Sequence, residues 1–219
     1  MAQYSNEILH LFGGPALVDL TACGAKELPT LPKYVDAVIW NFIFNAMHPD
    51  RAIVHLDVAI LKQTNAAAEA YTTGRSQLLR FIDGVQRGEH LLSAYLSALT
   101  HFEHCIGAVW KASLLFNKME HRALNKPFNK PDLFAPDDQS DLHRINEINN
   151  VTKHFSAEQA EKTFTPIWIT AKGLHSADHS ISFDELVENI VALSEVCRQT
   201  FIEIPREALE RKHLKGANA

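Results

Sequence analysis

The chain has 219 residues, which is long enough to bury a substantial hydrophobic core. Hydrophobic residues make up 46% of it and charged residues 21%, a composition typical of a globular protein and not of a disordered one. The net charge of −5 gives no overall basic field, so a nucleic-acid partner would have to be bound by a local patch.

The three cysteines, Cys23, Cys105 and Cys197, lie far apart, and none belongs to a CxxC pair. This odd, scattered set argues against a disulfide scaffold and predicts a reducing, cytoplasmic compartment. The longest apolar run, 34–47, contains one aspartate and two asparagines. It therefore predicts a buried helix and no membrane span.

The first half of the chain is predicted to be helical. A short helix is expected at 6–12, followed by an irregular arm. A helix over 32–47 begins on a proline, which is tolerated in the first turn. A second helical pattern covers 50–88. A break is expected at 72–74, because two β-branched residues before a glycine weaken a helix interior.

The strongest periodicity lies at 89–122, where apolar residues recur at steps of three and four and predict one long central helix. The segment 125–140 contains three prolines and predicts a loop. Asp137 or Asp138 is expected to cap the next helix, over 142–155.

A β-hairpin with a tight turn at "KG" is predicted near 163–183, where β-branched and aromatic residues replace the helical pattern. Ser182, followed three residues later by Glu185, forms a capping box that predicts the start of a final helix. The apolar face of this helix should extend to Phe201, before Pro205 interrupts it.

These elements predict an all-α helical bundle with a small β-hairpin, because amphipathic helices joined by short links must pack on one another. We divide the chain into an N-terminal helical region at 1–88 that packs on the bundle, the bundle with its hairpin at 89–204, and a tail at 205–219. Trp40 and Trp110 lie on apolar helix faces and are expected in the core.

The helix predicted over 142–155 carries the strongest functional signal. His143, Glu147, Asn150 and His154 recur at steps of four, three and four, so they share one face of the helix. An apolar flank lies beside this face and would pack on the bundle. The polar face should therefore line a groove or a subunit interface.

The segment "NNVTKH" at 149–154, after a long helix that contains tryptophan, resembles the HEPN superfamily of small helical bundles. The superfamily's signature is an arginine, a polar residue that is often asparagine, and a histidine near the end of the last bundle helix. Many members are metal-independent ribonucleases of toxin–antitoxin or phage-defence systems, and they typically dimerise so that two motifs meet in one cleft. The resemblance covers about 89–201 and implies a homodimer, RNA as ligand, no cofactor and an antitoxin as a candidate partner.

The resemblance also assigns roles to residues. His154 matches the motif histidine, Asn150 matches the polar position, and Asn149 stands where the family has arginine. Glu103 resembles the acidic residue that some members carry on the preceding helix. The expected catalytic residues are His154, Asn150 and Asn149, and the expected substrate-binding residues are Lys153, Arg144, Glu103 and Glu147.

The missing arginine matters for the chemistry. Cleaving RNA without metal needs a base for the 2′-hydroxyl proton and cationic donors for the crowded phosphorane, and histidine and arginine suit these two roles. Asn149 supplies hydrogen bonds but no charge, and losing one such donor costs about 3–4 kcal/mol of transition-state stabilisation. Catalysis is therefore expected to be weak or lost, unless Arg144, Lys153 or a partner subunit supplies the charge.

Two other interpretations fit the same residues. In a non-enzymatic interaction protein, the basic Lys153-His154 pair would only complement the helix dipole, by about 0.3–1 kcal/mol. In a metalloprotein, two pairs of side chains one turn apart would face each other around a divalent ion. These pairs are His101 with His104, and His143 with Glu147.

Overall fold

The computed structural model of the chain describes residues 20, 22–32, 34–43, 48–89, 91–128, 133–135, 138–160, 166–176 and 178–203. Four features predicted from the sequence lie outside the described residues. They are the helix at 6–12, the end of the first long helix at 47, the cap at Asp137, and the tail at 205–219, which begins with Pro205.

Within the described part, the chain is an all-α bundle with a small antiparallel sheet, which confirms the predicted fold class. The helices are α1 (Val35–Ile43), α2 (Arg51–Gln86), α3 (Leu92–Ala123), α4 (Asp141–Lys153), the short α5 (Ala157–Ala160) and α6 (Phe183–Arg198), which continues into a π-helical turn (Gln199–Glu203). The strands are β1 (Trp168–Ile169), β2 (Gly173–His175) and β3 (Ser180–Ser182).

Helices α2 and α3 form a long antiparallel pair that is the centre of the bundle. The Tyr71 and Phe102 rings meet edge to face with centroids 5.8 Å apart, and Phe81 meets Tyr95 at 5.4 Å. Such aromatic pairs contribute about 0.5–1.5 kcal/mol beyond the area that they bury. At the start of α2, Asp50 caps the helix by accepting from the Ala52 N–H at 2.9 Å.

The predicted break at 72–74 is wrong, because α2 is continuous through these residues. Thr72 bonds its hydroxyl to the Ala68 carbonyl oxygen at 2.8 Å, inside the helix. Gly74 is buried, and a Cβ there would lie 3.3 Å from the Phe102 ring. The glycine therefore allows close approach of α2 and α3, and this packing outweighs the low helix propensity of the segment.

Helix α4 is capped two residues after the predicted Asp138. Its N-cap is Ser140, whose hydroxyl accepts from the His143 N–H at 3.2 Å. Asp138 instead accepts from the Ser140 N–H at 2.8 Å, so it orients the residue that caps the helix. The predicted capping role of Asp138 is therefore wrong, although the predicted helix itself is confirmed.

The sheet has the order β1-β2-β3, with antiparallel pairing throughout, so it contains one strand more than a hairpin. Leu174 pairs with both Ile169 and Ile181, and all three are buried in the main core. The N–H of Ile169 donates to the Tyr95 hydroxyl at 3.2 Å, which ties the sheet to α3. At Gly173 a Cβ would lie 2.0 Å from the Ile181 carbonyl oxygen, so only glycine fits.

Helix α6 starts at the predicted capping box. The Ser182 hydroxyl accepts from the Glu185 N–H at 3.1 Å, and the Glu185 carboxylate accepts from the Ser182 N–H at 2.8 Å. The predicted apolar face is buried along its whole length, and its residues are Leu186, Ile190, Leu193, Cys197 and Phe201.

The core has two parts. The larger part joins α2, α3, α4, α6 and the sheet, and the smaller one joins Tyr34, Ile60, Leu61, Cys197 and Phe201. Trp110 is 4% exposed, as predicted, but Trp40 is 56% exposed, so its predicted place in the core is wrong. Among the described helices, none is long and apolar enough to cross a membrane.

Candidate ligand-binding groove

An open groove of about 570 Å³ lies where α2, α3 and α4 meet. Small side chains from the facing helices, Ala66, Ala70, Gly107 and Ala108, leave the space between them. The polar and charged side chains that line it are Gln63, Glu69, Thr73, His101, Glu103, His104, Lys111, Asn149 and Thr152. The groove therefore combines a small-residue floor with hydrogen-bonding groups from three helices.

Asn149 is the least exposed polar side chain of this groove. It is 6% exposed, and its amide oxygen lies against Gly107, where a Cβ would be 3.5 Å away. Its amide nitrogen is shielded from solvent and has no hydrogen-bond partner. Leaving a buried donor unpaired costs about 1–3 kcal/mol, so each such group calls for an explanation. A ligand with a hydrogen-bond acceptor in the groove would give this amide nitrogen a partner.

Glu103, on α3, is partly buried in the same groove, and this burial raises the pKa of its carboxyl above the ordinary value. The raised pKa lets Glu103 hold a proton at a pH where an exposed carboxyl has lost it. His101 and His104 flank it on the same helix, with their rings perpendicular and 6.5 Å apart. A carboxyl with a raised pKa beside two imidazoles can take up or release protons.

Of the residues assigned by resemblance, the structure brings Glu103 and Asn149 together in the groove and leaves the others outside it. Asn150 follows Asn149 on the helix and is turned by about 100° from it. His154 is the exposed C-cap of α4, and its N–H donates to the Asn150 carbonyl oxygen at 2.9 Å. Lys153 is also exposed, in the last turn.

Arg144 and Glu147 lie outside the groove as well. The Arg144 guanidinium donates to Glu185, which is also the acid of the α6 capping box, so it ties α4 to α6. Glu147 accepts from the amide nitrogen of its neighbour Asn146 at 2.9 Å. Within one subunit, Arg144 therefore does not supply the missing charge beside Asn149.

The two pairs considered for a metal do not converge. His101 and His104 line the groove, whereas His143 is 6% exposed and packs between Phe134 and His179, at centroid distances of 5.3 and 5.9 Å. Among the described residues, no group of three or more histidine, cysteine, aspartate or glutamate side chains could hold a metal ion.

The sequence patterns missed the part of the groove that α2 contributes. Gln63, Glu69 and Thr73 fall at steps of six and four around the run "AAAEA" at 66–70. A stripe of small residues beside polar ones on a long helix is a usable signal of a groove. No protein-family model, curated protein or solved structure matches this chain.

Proposed function

We propose that the chain is a HEPN-like protein whose groove between α2, α3 and α4 binds the phosphate of single-stranded RNA, with cleavage weak or lost. The observation that carries the proposal is the Asn149 amide nitrogen, a buried donor without a partner in the wall of a polar groove. A phosphate oxygen is an acceptor that would satisfy it. RNA as the source of that phosphate comes from the resemblance of 149–154.

Lys111, His101 and His104 would supply the other contacts to the phosphate. All three line the groove, and Lys111 is exposed at its edge, where an ammonium group can meet phosphate as a point charge. Glu103, with its raised pKa, would lie beside the phosphate as a group that can exchange a proton. No arginine lines the groove among the described residues, which supports weak catalysis, since forked cationic donors stabilise a phosphorane best.

The homodimer and the antitoxin partner are part of the same proposal. In a dimer, the end of α4 with the exposed His154 would meet its equivalent in the second subunit. That arrangement would add the motif histidine of one subunit to a shared cleft.

Binding of a fluorescein-labelled oligouridylate, measured by anisotropy across a salt series, tests the proposal. Lys111→Ala should weaken binding and lower the slope of log affinity against log salt by about 0.7, the value for one phosphate contact on a single strand. Lys118→Ala is the matched control, because Lys118 is exposed on the same helix outside the groove. Absent binding by the wild type, or equal losses in both variants, would contradict the proposal.

A second candidate, a non-enzymatic interaction protein, is favoured by an apolar surface. Ile39 and Trp40 on α1 are 51% and 56% exposed, and Ile202 in the π-helical turn is 44% exposed. The Asn41 amide donates to the Phe201 carbonyl oxygen at 2.7 Å, which holds the two elements together. A protein partner on this surface, with no RNA binding in the groove, would make this candidate the better one.

A further inference from the structure

A second cavity, of about 510 Å³, lies beside the groove on an adjoining face of α2. One wall is the extended segment 28–32, and the other is formed by α2 residues from Asn65 to Thr73. Glu69 and Thr73 line this cavity and the groove alike. Because these two residues are one helical turn apart, the two cavities meet across a single turn of α2.

The two cavities differ in chemistry. The groove contains a lysine, two histidines and two glutamates. The second cavity is lined by leucine, proline and alanine side chains and by four uncharged polar residues, Thr30, Asn65, Thr72 and Thr73. Among its described lining residues, Glu69 at the junction is the one ionisable side chain. A ligand that fills both cavities must therefore have a charged end and an uncharged end.

The segment that forms this wall is anchored before it reaches the cavity. Tyr71 donates its hydroxyl to the Lys26 carbonyl oxygen at 3.0 Å, and Arg75 donates to the Ala25 carbonyl oxygen at 2.9 Å. The Gly24 N–H donates to the Ala171 carbonyl oxygen at 2.9 Å. Two prolines restrict the backbone further, so the wall is formed before a ligand arrives.

We infer that the cleft takes one ribonucleotide step of single-stranded RNA, with the phosphate in the groove, the ribose at Glu69 and Thr73, and the adjoining base in the second cavity. This inference rests on the proposed function of the groove. The Glu69 carboxylate only accepts hydrogen bonds and repels phosphate, so the ribose hydroxyls are the part of the ligand that suits it. Carboxylates bind ribose hydroxyls in the same way in dinucleotide-binding folds.

The second cavity suits a nucleobase. Its leucine and proline side chains can cover the faces of a base, and the Asn65 amide has both a donor and an acceptor for the base edge. Each cavity falls within the range of about 300–1,000 Å³ that small-molecule sites occupy. Inorganic phosphate would use the groove alone, whereas a nucleotide with its ribose and base would use both cavities.

Calorimetric titration with inorganic phosphate, the dinucleotide UpA and its deoxy equivalent tests this arrangement. Wild-type protein should bind UpA at least ten times more tightly than inorganic phosphate, and more tightly than the deoxy dinucleotide. Thr72→Trp should fill the second cavity and abolish the gain of UpA over inorganic phosphate without changing the affinity for inorganic phosphate. Thr72 is exposed, so a tryptophan there is compatible with folding. Asn65→Trp, also at an exposed position, provides a second filling variant.

Glu69→Ala tests the ribose contact at the junction independently of the two cavities. It should reduce the ratio of ribo- to deoxy-dinucleotide affinity to about one, whereas Glu120→Ala, an exposed glutamate on α3, should leave the ratio unchanged. Equal effects of both tryptophan variants on UpA and inorganic phosphate, or no effect on either, would overturn the inference. In that case, phosphate binding that still depends on Lys111 would leave the proposed function standing. Absence of all binding would refute both.

Discussion

Asp57, on α2, is a buried carboxyl group without a compensating charge, and it allows a quantitative prediction. It is 6% exposed, and its Oδ1 atom is shielded from solvent and has no hydrogen-bond partner. Burial raises its pKa from 3.8 to about 7. Burial raises the pKa of the Cys197 thiol, in the smaller core, to about 11, and the nearby Asp57 carboxyl contributes to the increase.

The raised pKa makes folding stability depend on pH. In the folded chain Asp57 stays protonated up to about pH 7, whereas in the unfolded chain it ionises near 3.8. The stability that the folded chain gains by holding a proton on Asp57 is therefore fully present below pH 3.8. It is lost as the pH rises to about 7. At about 1.36 kcal/mol for each pH unit between these values, ionisation costs about 4 kcal/mol above pH 7. Typical stabilities are about 5–15 kcal/mol.

Asp57→Asn removes the ionisation and keeps the shape of the side chain. At pH 8 the variant should be more stable than the wild type by about 1–3 kcal/mol, because the new amide leaves its own unpaired donor, which costs about 1–3 kcal/mol. Near pH 4 this advantage should disappear. Urea unfolding followed by circular dichroism at several pH values gives the free energies of unfolding of both proteins.

The difference between the two proteins isolates Asp57 from every other titrating group. Asp83→Asn, at an exposed position on the same helix, is the control and should shift stability by less than about 0.5 kcal/mol at every pH. A wild-type minus Asp57→Asn difference that stays constant between pH 4 and pH 8 would refute this account of the buried carboxyl.

The other predictions concern the sheet and the helix that follows it. Gly173→Ala should destabilise the chain by more than about 3 kcal/mol, because the new Cβ would lie 2.0 Å from the Ile181 carbonyl oxygen. Thermal unfolding measures this loss. An unchanged melting temperature would contradict the β2–β3 register. Ser182→Ala should cost about 0.5–2 kcal/mol in urea unfolding through loss of the α6 cap, whereas Ser76→Ala, at an exposed position within α2, should cost less. Equal costs for the two serines would count against the capping box.

Local chemistry predicted most of the helices and the start of α6. The capping box at Ser182 could be found because its two hydrogen bonds join residues three positions apart. The break at 72–74 was wrongly predicted because Gly74 is kept by its contact with Phe102, about thirty residues away in the sequence. Contacts of this range leave no periodic signal in one sequence.

The candidate site was predictable only in part. Glu103 and Asn149 were singled out, and both line the groove. The pattern on α4 instead favoured the face with Asn150 and His154, because equal spacing shows which side chains share a face but not which face is buried. The arrangement of three helices decides that, and it makes Asn149 the groove residue.

The central claim is that the buried amide of Asn149, and not that of its half-buried neighbour Asn150, binds the RNA phosphate. Asn149→Leu and Asn150→Leu make the same change at neighbouring positions, and oligouridylate affinity measured by anisotropy compares them directly. Asn149→Leu should lower the affinity at least tenfold while keeping or raising stability, because an unpaired buried donor is removed. Asn150→Leu should leave the affinity unchanged. Full binding by Asn149→Leu, with loss of binding by Asn150→Leu, would contradict the claim.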